Sequence, residues 1–255
     1  MGVDAVSLKD PSGLLVPERA QSLIRNFREV LNGHALQLHC HTSTGTGPDV
    51  HRAAMDLGDL APDVFHGAVP PFAWGTSHPS HEFLIDNLEE RGFTVDIDRE
   101  AVREMEAYFT GLARRRGMPT DHEVPDDPAM LVHQVPGGML ANLQRQLTEQ
   151  GMADRLPEVL DEVSRVRLDL GYPLLVSPMA QYVGIQAVLN VVTGDRYSMV
   201  PDEVRSYLLG YYGATPGPVD PDVLDRVIGD AEPITQRPGE VLEPMVERFE
   251  AENGP

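Results

Sequence analysis

The chain contains 255 residues, of which 41% are hydrophobic, and its formal net charge is −20 at pH 7. This charge argues against a nucleic acid or an anionic membrane surface as a partner, because both are negatively charged. No segment approaches the roughly 18 consecutive apolar residues that a membrane span requires, and the first ten residues lack the features of a signal peptide. A single cysteine allows no internal disulfide, so we expect a cytoplasmic protein.

The first half of the chain alternates between segments typical of strands and of helices. We predict strands at residues 3–8, 35–41, 63–69 and 93–97, and helices at 17–31, 49–60 and 79–90. Alternating β and α segments predict a parallel sheet, and the carboxyl ends of its strands are the usual place for chemistry.

The second half is almost entirely helical. Apolar stripes predict helices at residues 139–150, 156–170, 180–192, 203–209 and 239–250. We therefore expect an α/β domain at 1–130 followed by a helical subdomain at 131–255. Four strands at most leave an open sheet edge that another chain would have to cover, unless the fold is a different one.

Two histidines end the second predicted strand. Because side chains alternate across a strand, His39 and His41 share one face, and Cys40 lies on the other. Two imidazoles at the carboxyl end of a strand suit a divalent metal, although they could also be ordinary surface histidines. Cys40 fits a buried apolar residue better than a ligand.

A lysine ends the first predicted strand. Lys9 shares a face with Ala5 and Ser7, and a lysine that faced the interior would need a reason, because burying an ammonium group is costly. Alternatively, the strand stops there and Lys9 reaches solvent. These residues alone leave both interpretations open.

Long motifs along nearly the whole chain resemble one family. Residues 2–15, GVDAVSLKDPSGLL, are similar to the GAD-S-I-x-I-KDMAGLL segment of biotin-dependent carboxyltransferase domains, which occur in pyruvate carboxylase, oxaloacetate decarboxylase α subunits and transcarboxylase. The further matches are LHCHTSTG at 38–45, PFAWGTSHPSHE at 71–82, HQVPGGMLAN at 133–142, LVSPMAQYVG at 175–184 and YLLGYYGATP at 207–216.

This resemblance implies a fold and a metal site. The chain corresponds to the second half of a (β/α)8 barrel, strands 5–8, followed by the family's helical C-terminal subdomain. In the family, the KDMAG lysine is carbamylated and binds a divalent metal together with both histidines of H-x-H. Lys9, His39 and His41 would then be metal ligands, with zinc, manganese and cobalt all suited to such a donor set.

The resemblance also implies catalytic residues in the helical half. The family's TPTSQ threonine moves a proton between biotin and substrate, and Ser177 retains its hydroxyl at that position. A serine before a helix is also an ordinary cap, which is the alternative. Gln181 retains the family glutamine and would contact biotin. Met179 and Ala180 replace the Thr-Ser pair, and Thr42 replaces an aspartate.

The family pattern further implies partners. Its aspartate metal ligand lies upstream of the matching residues, so we expect a second polypeptide to supply that half-barrel, with a truncated chain as the alternative. We expect an enzyme subunit that decarboxylates oxaloacetate or transfers carboxyl groups through a 2-oxo acid enolate, with biotin on a separate carrier protein. The alternatives are aldol-type or decarboxylative carbon–carbon chemistry without biotin, acting on a 2-oxo acid or acyl substrate, and a non-catalytic scaffold.

Overall fold

The computed structural model describes residues 2–120, 129–242 and 244–254. The chain divides into two compact units, Met1–Leu140 and Ala141–Pro255.

The first unit contains a parallel three-stranded sheet. Its strands are β1 (Ala5–Asp10), β2 (Ala35–Cys40) and β3 (Val64–Phe65), in the order β1-β2-β3. Lys9 of β1 lies opposite His39 of β2. The mixed α/β class is confirmed, and β1 is an edge strand within the described part of the chain.

The central strand has the predicted alternation. Leu36, Leu38 and Cys40 are fully buried, while Gln37 and His39 on the opposite face are half-buried. The buried face packs into a core with helices that flank the sheet; its other fully buried members are Ala20, Ile24, Val50 and Ala54. Burial of one face fixes the strand's register, since a shift of one residue would turn the histidine toward the core.

The described residues of the first unit include five complete α-helices and the start of a sixth. They are α1 (Pro17–Val30), α2 (Gly47–Met55), α3 (His81–Glu90), α4 (Arg99–Arg115) and α5 (Ala129–His133), and α6 (Gly137–Glu149) begins there. The hydroxyl of Ser80 accepts a hydrogen bond from the Phe83 N–H and caps α3. This cap orients the loop that precedes α3.

Two expectations for this unit are wrong. Residues 93–97 form no strand, because most of this segment is exposed and Asp98 instead caps α4 by accepting from the N–H groups of Glu100 and Ala101. The structure thus has three strands in its described residues instead of the expected four. Helix α4, with 17 residues, was absent from the prediction.

The second unit is helical, as predicted. Its further helices are α7 (Leu156–Asp169), α8 (Met179–Thr193), α9 (Asp202–Leu208), α10 (Pro221–Ile228), α11 (Pro238–Val241) and α12 (Met245–Asn253). The predicted helix at 239–250 is in fact two helices, and α10 was not predicted. No helix in the described ranges combines the length and apolar character needed to cross a membrane.

A charged network joins α7 to α8 and the turn after it. The Arg196 guanidinium donates to Glu162 at 2.7 Å and to Asp169 at 2.5 Å. Asn190 of α8 donates to Glu162, and the Tyr197 hydroxyl donates to Asp169. Both carboxylates are largely buried, and Arg196 contacts both of them, whereas Arg165 reaches only Glu162 at 3.5 Å, so their negative charges depend mainly on the Arg196 guanidinium.

Replacing Arg196 by Leu should therefore destabilise the protein. The change removes the cation that two largely buried carboxylates share. We expect the free energy of unfolding to fall by about 3 kcal/mol. This value is at the low end of the range for breaking a buried ion pair, because Arg196 is partly exposed. Urea denaturation measures it. Arg165→Leu is the control, since the exposed Arg165 contacts the same Glu162 and should contribute about 0–1 kcal/mol. Equal losses in both variants would contradict this account.

Candidate metal centre

Three histidines converge at the carboxyl ends of the parallel strands. His39 lies in β2, His41 just follows it, and His78 lies in the loop before α3; one ring nitrogen from each lies within 4.8 Å of the other two. The Nε2 atoms of His39 and His41 are 3.2 Å apart, and the His39 and His78 ring centroids are 4.2 Å apart. These are distances at which a single cation can be held by all three rings.

Backbone carbonyls orient two of these rings. His41 Nδ1 lies 2.6 Å from the Thr76 carbonyl oxygen, and His78 Nδ1 lies 3.1 Å from that of Cys40. A carbonyl oxygen can only accept, so each Nδ1 bears the hydrogen and each Nε2 has a free lone pair. An imidazole held this way, with its outer nitrogen on a carbonyl, has the usual arrangement of a metal ligand.

The same rings are neutral at physiological pH. Burial, together with the nearby His41, His66 and Lys9, lowers the pKa of His39 to about 4. Burial and the neighbouring His41 and His39 lower the pKa of His78 to about 4, and burial also lowers the pKa of His41. Metal binding requires unprotonated imidazole, which this environment supplies.

The loops around the histidines are tied together through their backbones. The buried Thr42 hydroxyl donates to the Gly75 carbonyl at 2.8 Å, and the Thr42 N–H donates to the Ser77 carbonyl at 2.8 Å. A side chain at Gly13 would press against the His41 carbonyl oxygen at 2.9 Å, and φ at Gly13 is +65°. Glycine is therefore required where the KDPSG segment passes the second histidine.

The HQVPGG segment packs against the same loops. The Ser12 hydroxyl donates to the Gln134 carbonyl at 3.1 Å. A Cβ at Gly137 would overlap the side chain of Thr76, the residue whose carbonyl holds His41. Four of the segments in the sequence pattern thus meet around the histidines.

Lys9 lies next to this cluster. It pairs with His39 across the sheet, its side chain is exposed, and its charge contributes to the low pKa values of His39 and His41. It therefore reaches solvent in this structure while remaining beside the histidines, although β1 does not stop at Lys9 but continues to Asp10.

Cys40 lies on the opposite face, as predicted. It is fully buried, its thiol donates to Asp10 Oδ2 at 3.5 Å, and burial raises its pKa. A protonated, buried thiol is not a metal ligand. Asp10 also accepts from the Leu15 N–H at 2.8 Å, so it holds the turn after β1.

Ser177 and Gln181 belong to the second unit. Both are exposed, whereas Ala180 between them is buried and Met179 is half-buried. Helix α8 begins at Met179 with Pro178 at the capping position, so the alternative role of Ser177 as the helix cap is wrong.

Two histidines of this centre escaped the sequence analysis. His78 was visible in the GTSHP segment. His66 lies in the middle of the predicted strand 63–69, but the observed β3 ends at Phe65, so His66 stands at the carboxyl end of the strand, where parallel strands place their chemistry. His66 Nδ1 lies 2.9 Å from His39 Nδ1. Neither had a spacing that linked it to the H-x-H pair.

Comparison with known proteins identifies the family. The family model described as "Conserved carboxylase domain" matches residues 130–254. The chain is 40% identical over 243 residues to a pyruvate carboxylase subunit of Methanothermobacter thermautotrophicus, covering 95% of this chain and 42% of that protein. The chain belongs to the biotin-dependent carboxyltransferase family.

Other members of this family extend the likeness. The methylmalonyl-CoA carboxyltransferase 5S subunit of Propionibacterium freudenreichii subsp. shermanii is 35% identical, covering 97% of this chain and 49% of that protein. The carboxyl transferase domain of Rhizobium etli pyruvate carboxylase, solved with pyruvate, superposes with a TM-score of 0.81 at 25% identity, covering 98% of this chain and 44% of that one. The chain thus spans about half the length, or less, of these relatives, which are components of enzymes.

The histidine cluster fits a divalent cation. Two imidazoles direct Nε2 lone pairs at one region, and such lone pairs repel each other unless a cation lies between them. Neutral imidazole suits zinc and other transition metals, whereas the protonated Cys40 does not interfere. The family likeness and the donor set therefore point to the same chemistry.

Gly137→Ala should perturb this centre, whereas Gly138→Ala should not. The added methyl group at 137 displaces Thr76 and, with it, the carbonyl that orients His41; at 138 no atom lies within 4 Å. We expect Gly137→Ala to lower thermal stability and weaken Zn²⁺ binding, measured by competition with a chromophoric chelator. Gly138→Ala should be neutral or stabilise the helix by about 0.5–1 kcal/mol. Unchanged Zn²⁺ affinity in Gly137→Ala would contradict the packing role.

Proposed function

We propose that the chain is the metal-binding part of a carboxyltransferase that acts on a 2-oxo acid such as pyruvate or oxaloacetate. Residues 1–130 would form the second half of a (β/α)8 barrel, and residues 131–255 its helical subdomain. The single observation that supports this most is the convergence of His39, His41 and His78 at the carboxyl ends of the parallel strands, where barrel enzymes have their active sites.

The proposed ligands are Lys9, His39 and His41, with His78 facing the same ion. Lys9 would bind as a carbamate: its ammonium group would lose one proton, and the resulting amine would add to CO₂ with loss of a second proton. This reaction replaces a cation beside the histidines by an anionic oxygen ligand. When bound, zinc, manganese or cobalt would supply Lewis acidity that stabilises negative charge on the substrate's oxo oxygen. An aspartate from the other half-barrel would complete the set.

The proposed transfer uses biotin on a separate carrier protein. In the direction toward oxaloacetate, carboxybiotin would supply the carboxyl group: its C–N bond would be exchanged for a C–C bond to the methyl carbon of pyruvate. The biotin ureido nitrogen would take up the methyl proton, so no oxidant or further reactant would be needed. Ser177, exposed beside α8, would pass this proton through its hydroxyl, and Gln181 would contact biotin.

A second polypeptide, or a further part of a longer chain, would complete the barrel. The chain spans 42% of the pyruvate carboxylase subunit that it resembles, and β1 has an unpaired edge within the described residues. Exposed Ser7 and Lys9 lie on this strand. A parallel strand paired with β1 would satisfy its free backbone groups.

One observation bears on the biotin-independent alternative. Ala180 replaces a family serine, and the loss of this hydroxyl by itself would favour aldol-type chemistry without biotin. Ala180 is buried, however, while Ser177 and Gln181 remain exposed on the same turn. The replaced hydroxyl therefore lies away from the surface that the proton-transfer residues share, which supports the biotin-dependent function.

The direct test is oxaloacetate decarboxylation by the chain isolated with its associated polypeptides. Pyruvate formation is followed with lactate dehydrogenase, with and without avidin, which sequesters biotin. Activity that avidin removes supports the proposal. Activity that avidin leaves intact supports the biotin-independent reaction. No activity in an assembly that contains a biotinylated protein and a bound divalent metal would favour the scaffold function and contradict the proposal.

Metal binding should depend on the proposed ligands. Lys9→Ala and His39→Ala should each abolish stoichiometric metal in the assembled protein, measured by inductively coupled plasma mass spectrometry, because each removes a donor atom. Cys40→Ala is the matched control: it lies next to His39 on the same strand, but its thiol faces the core. Full metal occupancy in Lys9→Ala or His39→Ala would remove that residue from the ligand set.

Ser177 should affect proton transfer and leave the metal in place. Ser177→Ala is expected to slow avidin-sensitive turnover by about 10²-fold or more, the usual scale for loss of a positioned proton-transfer group. Ser177→Thr restores the family's hydroxyl and should stay near the wild-type rate. Metal content should be the same in all three proteins. Wild-type turnover in Ser177→Ala would rule out the proton-transfer role.

A further inference from the structure

A third histidine ring contacts His39 from outside the metal cluster. His66 Nδ1 lies 2.9 Å from His39 Nδ1, and His66 Nε2 lies 3.2 Å from Gln37 Oε1. Gln37 and His39 share one face of β2, two residues apart. The three half-buried side chains form a continuous row of hydrogen-bonding contacts along the face of the sheet opposite its core, and none of the roles given above for the metal or biotin uses Gln37 or His66.

The backbone fixes this row. The His66 N–H donates to the Leu38 carbonyl oxygen at 3.0 Å, directly after β3, while Gln37 pairs with Val64 across the sheet. His66 is therefore held beside His39 by the sheet register, independently of its side-chain contacts. A ring held in this way can orient its neighbour.

One arrangement of hydrogens satisfies the contacts from Gln37 through His66 to His39. Gln37 Oε1 is an amide oxygen and only accepts, so His66 Nε2 donates to it. A His66 ring whose single hydrogen is on Nε2 has a lone pair on Nδ1, and this atom lies 2.9 Å from His39 Nδ1, where it can accept the His39 Nδ1–H. In this arrangement His39 Nε2 has a free lone pair. It lies 3.2 Å from His41 Nε2, which has a free lone pair because His41 Nδ1 donates its hydrogen to the Thr76 carbonyl.

We infer that Gln37 and His66 form a relay that holds His39 in its metal-binding tautomer, with His66 as the positioning residue. His41 and His78 have backbone carbonyls for this purpose, whereas His39 has a side chain. This role rests on the proposed function of the site, since it assigns His66 to the orientation of a proposed ligand. His66 itself does not contact the ion.

Loss of such an outer partner commonly weakens metal binding about 10–100-fold. His66→Leu removes the acceptor and should weaken Zn²⁺ binding within that range, measured by chelator competition on the full chain with its associated polypeptides. His66→Asn places an amide oxygen at the δ position, where it can accept from His39 Nδ1–H. We expect its Zn²⁺ affinity to return close to that of the wild type.

His34→Leu is the matched control. His34 is an exposed histidine just before β2, so its loss changes neither the histidine cluster nor its outer contacts. We expect wild-type Zn²⁺ affinity in this variant. Co²⁺ absorption spectra provide a second readout, because a reoriented His39 alters the ligand field, which a loss of general stability would not do.

Equal Zn²⁺ affinity in His66→Leu and wild type would overturn the relay. A His66→Asn variant that binds Zn²⁺ no more tightly than His66→Leu would overturn it as well. Long-range ¹H–¹⁵N spectra of metal-free, histidine-labelled protein test the tautomer directly: His39 protonated on Nδ1 supports the relay, and on Nε2 overturns it. If wild-type protein binds no divalent ion at all, the proposed metal function fails, and these spectra still decide the relay.

Discussion

The arrangement of the candidate site depends on how the outer nitrogens of its histidines are bonded. Two of the rings that face the cluster, His41 and His78, have the backbone carbonyls of Thr76 and Cys40 behind them, and the relay inferred above gives the same role to the His66 side chain behind His39. These contacts keep the Nε2 lone pairs directed at one region even though like dipoles oppose each other there. Without them, neutral rings would rotate to hydrogen-bond one another or water, and no convergent donor set would exist.

Several of the segments that match the family pattern pack around these histidines and hold them in place. Gly13 and Gly137 allow close approach of two loops to His41 and to Thr76, and Thr42 bonds to the loop that bears His78. Thr42 stands where the family has an aspartate. Its hydroxyl donates to the Gly75 carbonyl, a bond that an ionised carboxylate could not make, so the replacement suits this particular loop packing.

In the second unit, a network of charged side chains holds two helices together. Its Glu162–Arg196–Asp169 network fixes α7 and α8 against each other, and α8 follows directly after Ser177. The proton-transfer hydroxyl proposed for Ser177 would have to be held in place to act, and the helix pair next to it is suited to supply that restraint. Under the proposed function, the metal ligands lie in the first unit and the proton-transfer hydroxyl lies in the second.

The sequence by itself determined the alternation of β2, the placement of His39 and Cys40 on opposite faces, the positions of most helices and the family. These follow from local periodicity and from contiguous motifs, which neighbouring residues set. Only the tertiary structure showed that residues 93–97 are not a strand, because Asp98 is used as a helix cap. Only the tertiary structure showed that His66 and His78 lie beside His39, although they are 27 and 39 residues away along the chain. Sheet register and loop packing decide such distant contacts, and no local spacing in the sequence encodes them.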